Sequence, residues 1–327
     1  MKQINWGIIG CGDVTEIKSG PAFNKIANSY LTAVMRRDAA KAMDYAKRHG
    51  VKKWFDDAAQ LINYPDVNAV YIATPPSSHK ELTLMSLAAG KPVYVEKPMS
   101  IDAVSSAEMA DFSKMKNVKL SVAHYRREQP KFKKIVSLLK DKAIGDIKTV
   151  ELNYARRSLT QDDLADPKTA WRVNPETSGG GLFHDLAPHQ LDLMLYFFGP
   201  SADVTGEAKN ISTIYDAPDM VNGKITFGSG IIFKGNWNFS VVPAAEEDKV
   251  EITGTRGKII FSAFNSNIIT VITGLKKEVF SFPDLMHVQQ PMIEKVTTFF
   301  LDEAHNPCSA EDGVRVMEWI DAFTKKA

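Results

Sequence analysis

Five short, almost continuous apolar runs alternate with helical stretches through residues 1–123, and this alternation restricts the fold more than any other feature of the chain. The runs are residues 5–10, 30–35, 68–74, 91–96 and 119–123, with Lys53-Trp54-Phe55 as a shorter addition. A strand that is apolar at nearly every position belongs to a sheet covered on both faces. Helices fill the gaps. Asp38 is placed to cap a helix over residues 39–49 that stops at Gly50. Residues 80–89 carry Leu82, Met85 and Ala89 on one stripe, and residues 101–115 follow the break at Pro98. Strand–helix alternation at this spacing predicts a doubly wound parallel α/β domain with right-handed crossovers.

The period changes after residue 123. Residues 130–142 form an amphipathic helix with Phe132, Ile135, Val136 and Leu139 on one face. Val150, Leu152 and Tyr154 then alternate with polar neighbours, as in a half-buried strand. Between residues 203 and 282, strand-like runs are separated by turn signals at Val221-Asn222-Gly223 and Thr255-Arg256-Gly257. Helical patterns return at residues 292–304 and 310–324. The expected second domain, residues 124–327, is α+β with a largely antiparallel open sheet, its last helix available to pack back on the first domain.

Composition narrows the function classes. A chain of 327 residues is long enough for two domains. Forty basic residues against 39 acidic ones leave a charge of +1, so no net field draws the chain to nucleic acid or an anionic membrane. No apolar run approaches the ~20 residues of a membrane helix. Cys11 and Cys308 make neither a disulfide framework nor a metal-binding spacing, and the N-terminal run enters a glycine turn instead of a signal-peptide cleavage site. No metal is expected, and a reducing cytoplasm is the simplest setting.

The turn is Gly10-Cys11-Gly12-Asp13-Val14, directly after the first strand. Gly10 can make the tight turn, and Gly12 lets backbone N–H groups approach a pyrophosphate at a helix start. Thr15 stands where a third glycine is usual, and Gly20-Pro21 shortens the first helix, with Pro21 opening a second segment. An ordinary strand-to-helix turn is the plain alternative, but the position in a βαβ unit favours a dinucleotide, and with it a Rossmann domain. The second strand ends in Arg36-Arg37, where an NAD site usually has Asp or Glu. Two guanidiniums suit a 2′-phosphate, so NADP(H) is favoured and NAD(H) stays open. The alternative is a solvated strand end with Asp38 as a cap.

Three further segments carry chemistry. Thr74-Pro75 and His79 follow a parallel strand at its C-terminal end, where such sheets bind ligands. Glu96-Lys97-Pro98 ends the next strand, and Pro98 holds Lys97 extended, its ammonium available to a substrate hydroxyl. Alone, it would read as a surface lysine before a turn. Gly179-Gly180-Gly181 leads to Asp185 and His189, which share a helix face at i, i+4. Pro188 is tolerable in a first turn, which places Asp185 near the cap. The carboxylate can orient a polar substrate and the imidazole can exchange a proton. A helix cap plus a core histidine is the alternative.

This order of segments, with Trp171-Arg172 before the triple glycine, resembles the Gfo/Idh/MocA oxidoreductases over nearly the whole chain, including the closing helix at Ala310-Glu311-Asp312-Gly313. The resemblance implies hydride transfer between NAD(P) and a secondary alcohol or carbonyl of a sugar, sugar derivative or cyclitol. It implies a catalytic set of Lys97, Asp185 and His189: His189 moves the hydroxyl proton, Lys97 binds the reacting oxygen and the nicotinamide-side ribose, and Asp185 fixes a neighbouring hydroxyl. Arg126, Trp171 and Arg172 resemble positions lining the cofactor or substrate site, and Glu96, Thr74, Pro75 and His79 join the cofactor set. The family's exposed sheet face implies a homodimer or homotetramer. Two rival readings are a redox-assisted glycosidase with tightly held NAD and a non-catalytic nucleotide-binding regulator. The intact Lys97, Asp185 and His189 argue against the regulator.

Overall fold

The computed structural model describes residues 2–325 and divides into two compact units, residues 1–129 with 285–314 and residues 130–284 with 315–327. In the first unit the apolar runs become β1 (Ile4–Ile9), β2 (Ser29–Met35), β3 (Lys53–Phe55), β4 (Ala69–Ile72), β5 (Val93–Val95) and β6 (Leu120–Val122). They form one parallel sheet in the order β3-β2-β1-β4-β5-β6. Every residue of β4, β5 and β6 is buried, as two-sided cover requires. The chain reverses its direction of travel across the sheet between β1 and β4, the switch point beside which such folds bind ligands.

The helices of this sheet are α1 (Asp13–Glu16), α2 (Ala39–His49), α3 (Ala58–Ile62), α4 (His79–Ala88) and α5 (Ala103–Lys116). Local chemistry sets their ends. Asp38 accepts from the Lys41 amide at the start of α2, and Gly50, at φ +66°, closes it. α5 begins later than residue 101 because Asp102 takes the capping position and accepts from the Ser105 amide at 2.6 Å. α1 is a single turn, and a 3₁₀ segment, Gly20–Lys25, follows with Pro21 in its first turn.

The second unit holds α6 (Pro130–Lys140), β7 (Ile147–Arg157), α7 (Gln161–Ala165), α8 (Pro167–Val173), α9 (Pro175–Ser178) and α10 (Gly181–Phe198). The strands β8 (Ser201–Lys209), β9 (Met220–Phe227), β10 (Ile232–Val241), β11 (Glu247–Gly254), β12 (Lys258–Phe261), β13 (Ile268–Thr273) and β14 (Lys276–Ser281) follow. Eight strands make one sheet, β14-β13-β12-β11-β7-β10-β9-β8, in which only β7 and β10 pair in parallel. Thr255-Arg256-Gly257 does turn the chain between β11 and β12. The expected turn at Val221-Asn222-Gly223 is corrected: these residues lie inside β9. Gly223 pairs with Gly206 on one side and Gly235 on the other, and a Cβ on it would strike the Phe323 ring. Packing demands that glycine; no turn does.

The boundary at residue 123 is also corrected. α11 (Gln290–Phe300) buries Met292, Ile293, Val296 and Phe300 in the same apolar cluster as Trp6, Tyr71 and Tyr94, so the chain returns to the first unit after its second sheet is complete. α12 (Ala310–Thr324) then crosses from one unit to the other after Val314. Among the described residues no helix is long and apolar enough to cross a membrane.

Candidate functional site

The turn after β1 is built by close backbone approach. Gly10 has φ +91°, and a Cβ there would lie 2.7 Å from Thr74 Cγ2 and 2.9 Å from the Ala73 carbonyl. The Gly10 and Cys11 amides both donate to the Met35 carbonyl at the end of β2. A Cβ on Gly12 would meet nothing nearer than the Gly10 oxygen at 3.9 Å, so the space beside this glycine is open, as a phosphate group requires. Thr15, in place of the third glycine, has a bonding role: its Oγ1 accepts from the Gly12 amide at 3.0 Å and donates to the Gly12 carbonyl at 2.8 Å. Cys11 contributes only main chain. Burial pushes its thiol up to about 11, and its carbonyl accepts from Arg36 Nη1 at 3.3 Å. Arg37 is exposed.

A clasp holds the short α1. Arg48 makes a two-pronged pair with Glu16 at 2.7 and 2.8 Å, and His49 Nε2 lies 2.8 Å from the same carboxylate. The Arg48 hydrogen bonds hold the Glu16 carboxyl down to about 2. The Tyr45 hydroxyl donates to the Thr15 carbonyl at 2.8 Å.

Thr74 and Pro75 follow β4, half-buried. His79 is enclosed and does not line an open surface: its Nε2 lies 2.8 Å from the Thr74 carbonyl and its Nδ1 3.0 Å from the Pro98 carbonyl. Burial holds this imidazole below its ordinary range. The side chain therefore braces the turn after β4 against the Lys97-Pro98 segment, whose peptide bond is cis. Glu96 is also turned inward. Its Oε1 accepts from Tyr71 at 2.5 Å and from Gln289 Nε2 at 2.6 Å, and its Oε2 accepts from the Lys97 amide at 3.2 Å. Lys97 itself is half-buried. His124 is buried nearby; burial first, then the charges of Arg127 and Lys97, push its imidazole well below the ordinary range. Arg126, two residues on, lies with its guanidinium 5.5 Å from the Tyr125 ring centre.

The second unit assembles the other set. α10 starts at Gly181, at φ +77°, after Gly179 at +92°. Asp185 and His189 lie one turn apart on it, both buried. Pro188 is inside the helix and not in its first turn, which corrects the placement of Asp185 near the cap. α8 delivers Arg172, whose Nη1 donates to Asp185 Oδ2 at 2.5 Å while its Nε donates to the Lys168 carbonyl at 3.0 Å. The Arg172 guanidinium lies over the Trp171 ring at 4.9 Å. The next residue after His189 anchors the helix to the sheet: Trp237 Nε1 donates to Gln190 Oε1 at 2.6 Å. The His189 ring meets Phe264 edge-to-face, with centroids 5.7 Å apart and planes at 77°.

Lys97 and Arg126 thus belong to the first unit, as the glycine turn does, and Trp171, Arg172, Asp185 and His189 belong to the second. Sequence reasoning missed Tyr71, Gln289, Glu16, Arg48 and Phe264. Glu96 and Gln289 are 193 positions apart, and no spacing rule joins them.

Comparison with known proteins agrees with this arrangement. Residues 4–124 match the oxidoreductase family with an NAD-binding Rossmann fold, and residues 132–260 match the GFO/IDH/MocA C-terminal domain. An oxidoreductase of Formosa agariphila is 44% identical over 98% of both chains. The scyllo-inositol 2-dehydrogenase (NADP(+)) of Bacillus subtilis is 24% identical over 98% of this chain and 92% of its own. A levoglucosan dehydrogenase solved with NADH and levoglucosan has a TM-score of 0.86 at 22% identity, covering 98% of this chain and 96% of that one, a likeness of fold. The chain belongs to the Gfo/Idh/MocA family of NAD(P)-dependent oxidoreductases.

Proposed function

We propose that the protein moves hydride between a nicotinamide cofactor, NADP(H) in preference, and a secondary alcohol or carbonyl of a sugar, sugar derivative or cyclitol. The observation that carries this reading is the pair on α10: Asp185 and His189 one turn apart and buried, with Arg172 on the carboxylate. The cofactor, when bound, supplies the redox step. The side chains supply binding and proton transfer. His189 takes the hydroxyl proton during oxidation and returns it during reduction, a task suited to imidazole at neutral pH. Arg172 fixes one oxygen of Asp185, and the carboxylate accepts from a substrate hydroxyl with its other lone pairs. Lys97 donates from its ammonium to the reacting oxygen, and Glu96 anchors the Lys97 main chain beneath it.

On the cofactor side, the turn through Gly10, Cys11, Gly12, Asp13 and Val14 would receive the pyrophosphate, with the Gly12 amide already bonded to Thr15. Arg37, exposed after β2, favours a 2′-phosphate, and Arg36 supports the turn through the Cys11 carbonyl. Asp38 caps α2, its carboxylate accepting from the Lys41 amide and pairing with the Lys41 ammonium. The relatives named for scyllo-inositol and levoglucosan support a polyol or sugar as the substrate class.

The outer face of the eight-stranded sheet supports self-association as a homodimer or homotetramer. Across neighbouring strands Lys224, Lys234, Glu151 and Glu251 stand side by side in one row; the first three border a groove of about 540 Å³, and Glu251 is paired with Lys249 and Lys258 at 3.1 Å. Like charges as direct cross-strand neighbours repel. The central Lys234–Glu151 pair is complementary to its own reverse, so a second copy turned about the β7–β10 seam sets Lys234 against Glu151.

The test begins with a fluorescence titration of the purified protein with NADPH and NADH, before and after release of any bound nucleotide. Saturable binding with an NADPH preference, then turnover on a panel of sugars and cyclitols, is the expected result. Tightly held NAD that does not exchange would favour the glycosidase type. No binding of either nucleotide would overturn the reading. His189→Ala should cut turnover by about 10²-fold or more with nucleotide binding intact. Unchanged turnover would remove His189 from the mechanism.

A further inference from the structure

We propose that the connection between β12 and β13 is a positioning element for His189, in which Phe264 holds the imidazole and Asp248 and Lys131 hold Phe264. The inference rests on the proton-transfer role given to His189 above.

Two buried or half-buried charges of opposite sign grip this one short loop. The Asp248 carboxylate accepts from the Ser262 hydroxyl at 2.5 Å and from the amides of Ala263, Phe264 and Asn265 at 2.9, 2.7 and 2.9 Å. From the other side the Lys131 ammonium, on a side chain 4% exposed, donates to the Ser262 and Ser266 carbonyls at 2.8 and 2.6 Å. Charge-assisted bonds of this kind are roughly twice as strong as neutral ones. A connecting loop that only joins two strands is ordinarily mobile and needs no such hold.

The ring at the centre of the loop is fixed as well. Tyr154 on β7 packs on Phe264 with centroids 5.2 Å apart. Tyr154 is the direct cross-strand neighbour of Asp248 on β11, so one pair in the sheet secures both the ring and the backbone of Phe264. The held ring then meets His189 edge-to-face. An aromatic partner in that geometry restricts imidazole rotation and excludes water from one side of it. A proton-transfer group gains from this, because its reach to a bound hydroxyl depends on orientation.

The test uses the full chain and the acylating reagent diethyl pyrocarbonate, with modification of each histidine followed by peptide mass spectrometry. Phe264→Ala should raise the modification rate at His189 by up to about tenfold, the factor that loss of an aromatic pair allows. Phe264→Tyr, which keeps the ring, should restore the slow rate. Asp248→Asn should accelerate His189 in the same direction, and adding it to Phe264→Ala should bring no further gain. His184, buried on the same helix, is the internal control and should not change; urea unfolding of each variant confirms its folded state. An unchanged His189 rate in Phe264→Ala would overturn the proposal, and so would His184 accelerating together with His189. Because the readout needs no substrate, it stands apart from the turnover of His189→Ala: that measurement can fail while the loop still shields the ring.

Discussion

His184 shows what burial does to a single side chain. Burial pushes its imidazole down to about 4, against a raising contact from the Gly180 carbonyl at Nδ1. The folded state accepts the neutral ring, whereas the unfolded chain takes up a proton near its ordinary 6.5. Stability from this site is therefore complete above about pH 6.5 and is lost as pH falls from there through about 4. The loss is on the order of 1.4 kcal/mol for each unit of the gap. His184→Gln should flatten the fall in melting temperature across that window; an equal fall in both proteins would refute the cause. The two arginines after β2 separate in the same way. Arg36 holds the Cys11 carbonyl, so Arg36→Ala should weaken NADPH and NADH alike, while Arg37→Ala should weaken NADPH alone, by about tenfold for one charge-assisted bond. Titration with both nucleotides decides, and equal losses at Arg37 would remove it from the 2′-phosphate site. Asp38 and Gly50 were readable in the sequence because a cap acts over three residues. The partners of Glu96 were not, since Tyr71 and Gln289 lie 25 and 193 positions away.

Elements were legible where their cause is local. α12 runs over residues 310–324 as its apolar spacing predicts, and Gly20-Pro21 shortens the first helix to α1. The Asn222-Gly223 pair misled because it has the chemistry of a hairpin turn, yet here it lies in the middle of β9. The glycine row Gly206-Gly223-Gly235 leaves room on the inner face for Phe323 and Trp237. Gly223→Ala should destabilise the protein by about 1–3 kcal/mol through overpacking, measured by urea unfolding. Pairing with Phe323→Ala should relieve part of that cost, and strict additivity of the two would argue against the contact. α10 carries the other surprise. Its Pro188 cannot donate to the His184 carbonyl, yet the helix continues to Phe198, with the Trp237–Gln190 bond and buried apolar contacts on most of its length.

At the scale of the whole chain, the pattern of strands and helices announced two architectures but not how the sequence is divided between them. α11 belongs to the first unit although it follows the last strand of the second. The segment before it carries Gln289 to Glu96 and His287 to the Ile17 carbonyl, so both of these partners arrive only when the chain returns to the first unit. Self-association can be tested through the charge row on the outer sheet face. Lys234→Glu should weaken it by at least about tenfold in Kd, and adding Glu151→Lys should restore it, read by sedimentation equilibrium. No change with Lys234→Glu would place any interface elsewhere.

The amino-acid order by itself determined the alternation of strands and helices, the parallel and mainly antiparallel sheets, the glycine turn and the i, i+4 spacing of Asp185 and His189. Each depends on neighbours within a few residues, where dihedral limits, capping and hydrophobic period act. Tertiary structure alone decided that Glu96 and His79 turn inward, that Arg172 meets Asp185, and that Phe264 stands against His189 on a loop held by Asp248 and Lys131. Those contacts join residues far apart in the chain, and a buried polar group takes whatever partner the packing brings to it; no local period records which one that will be.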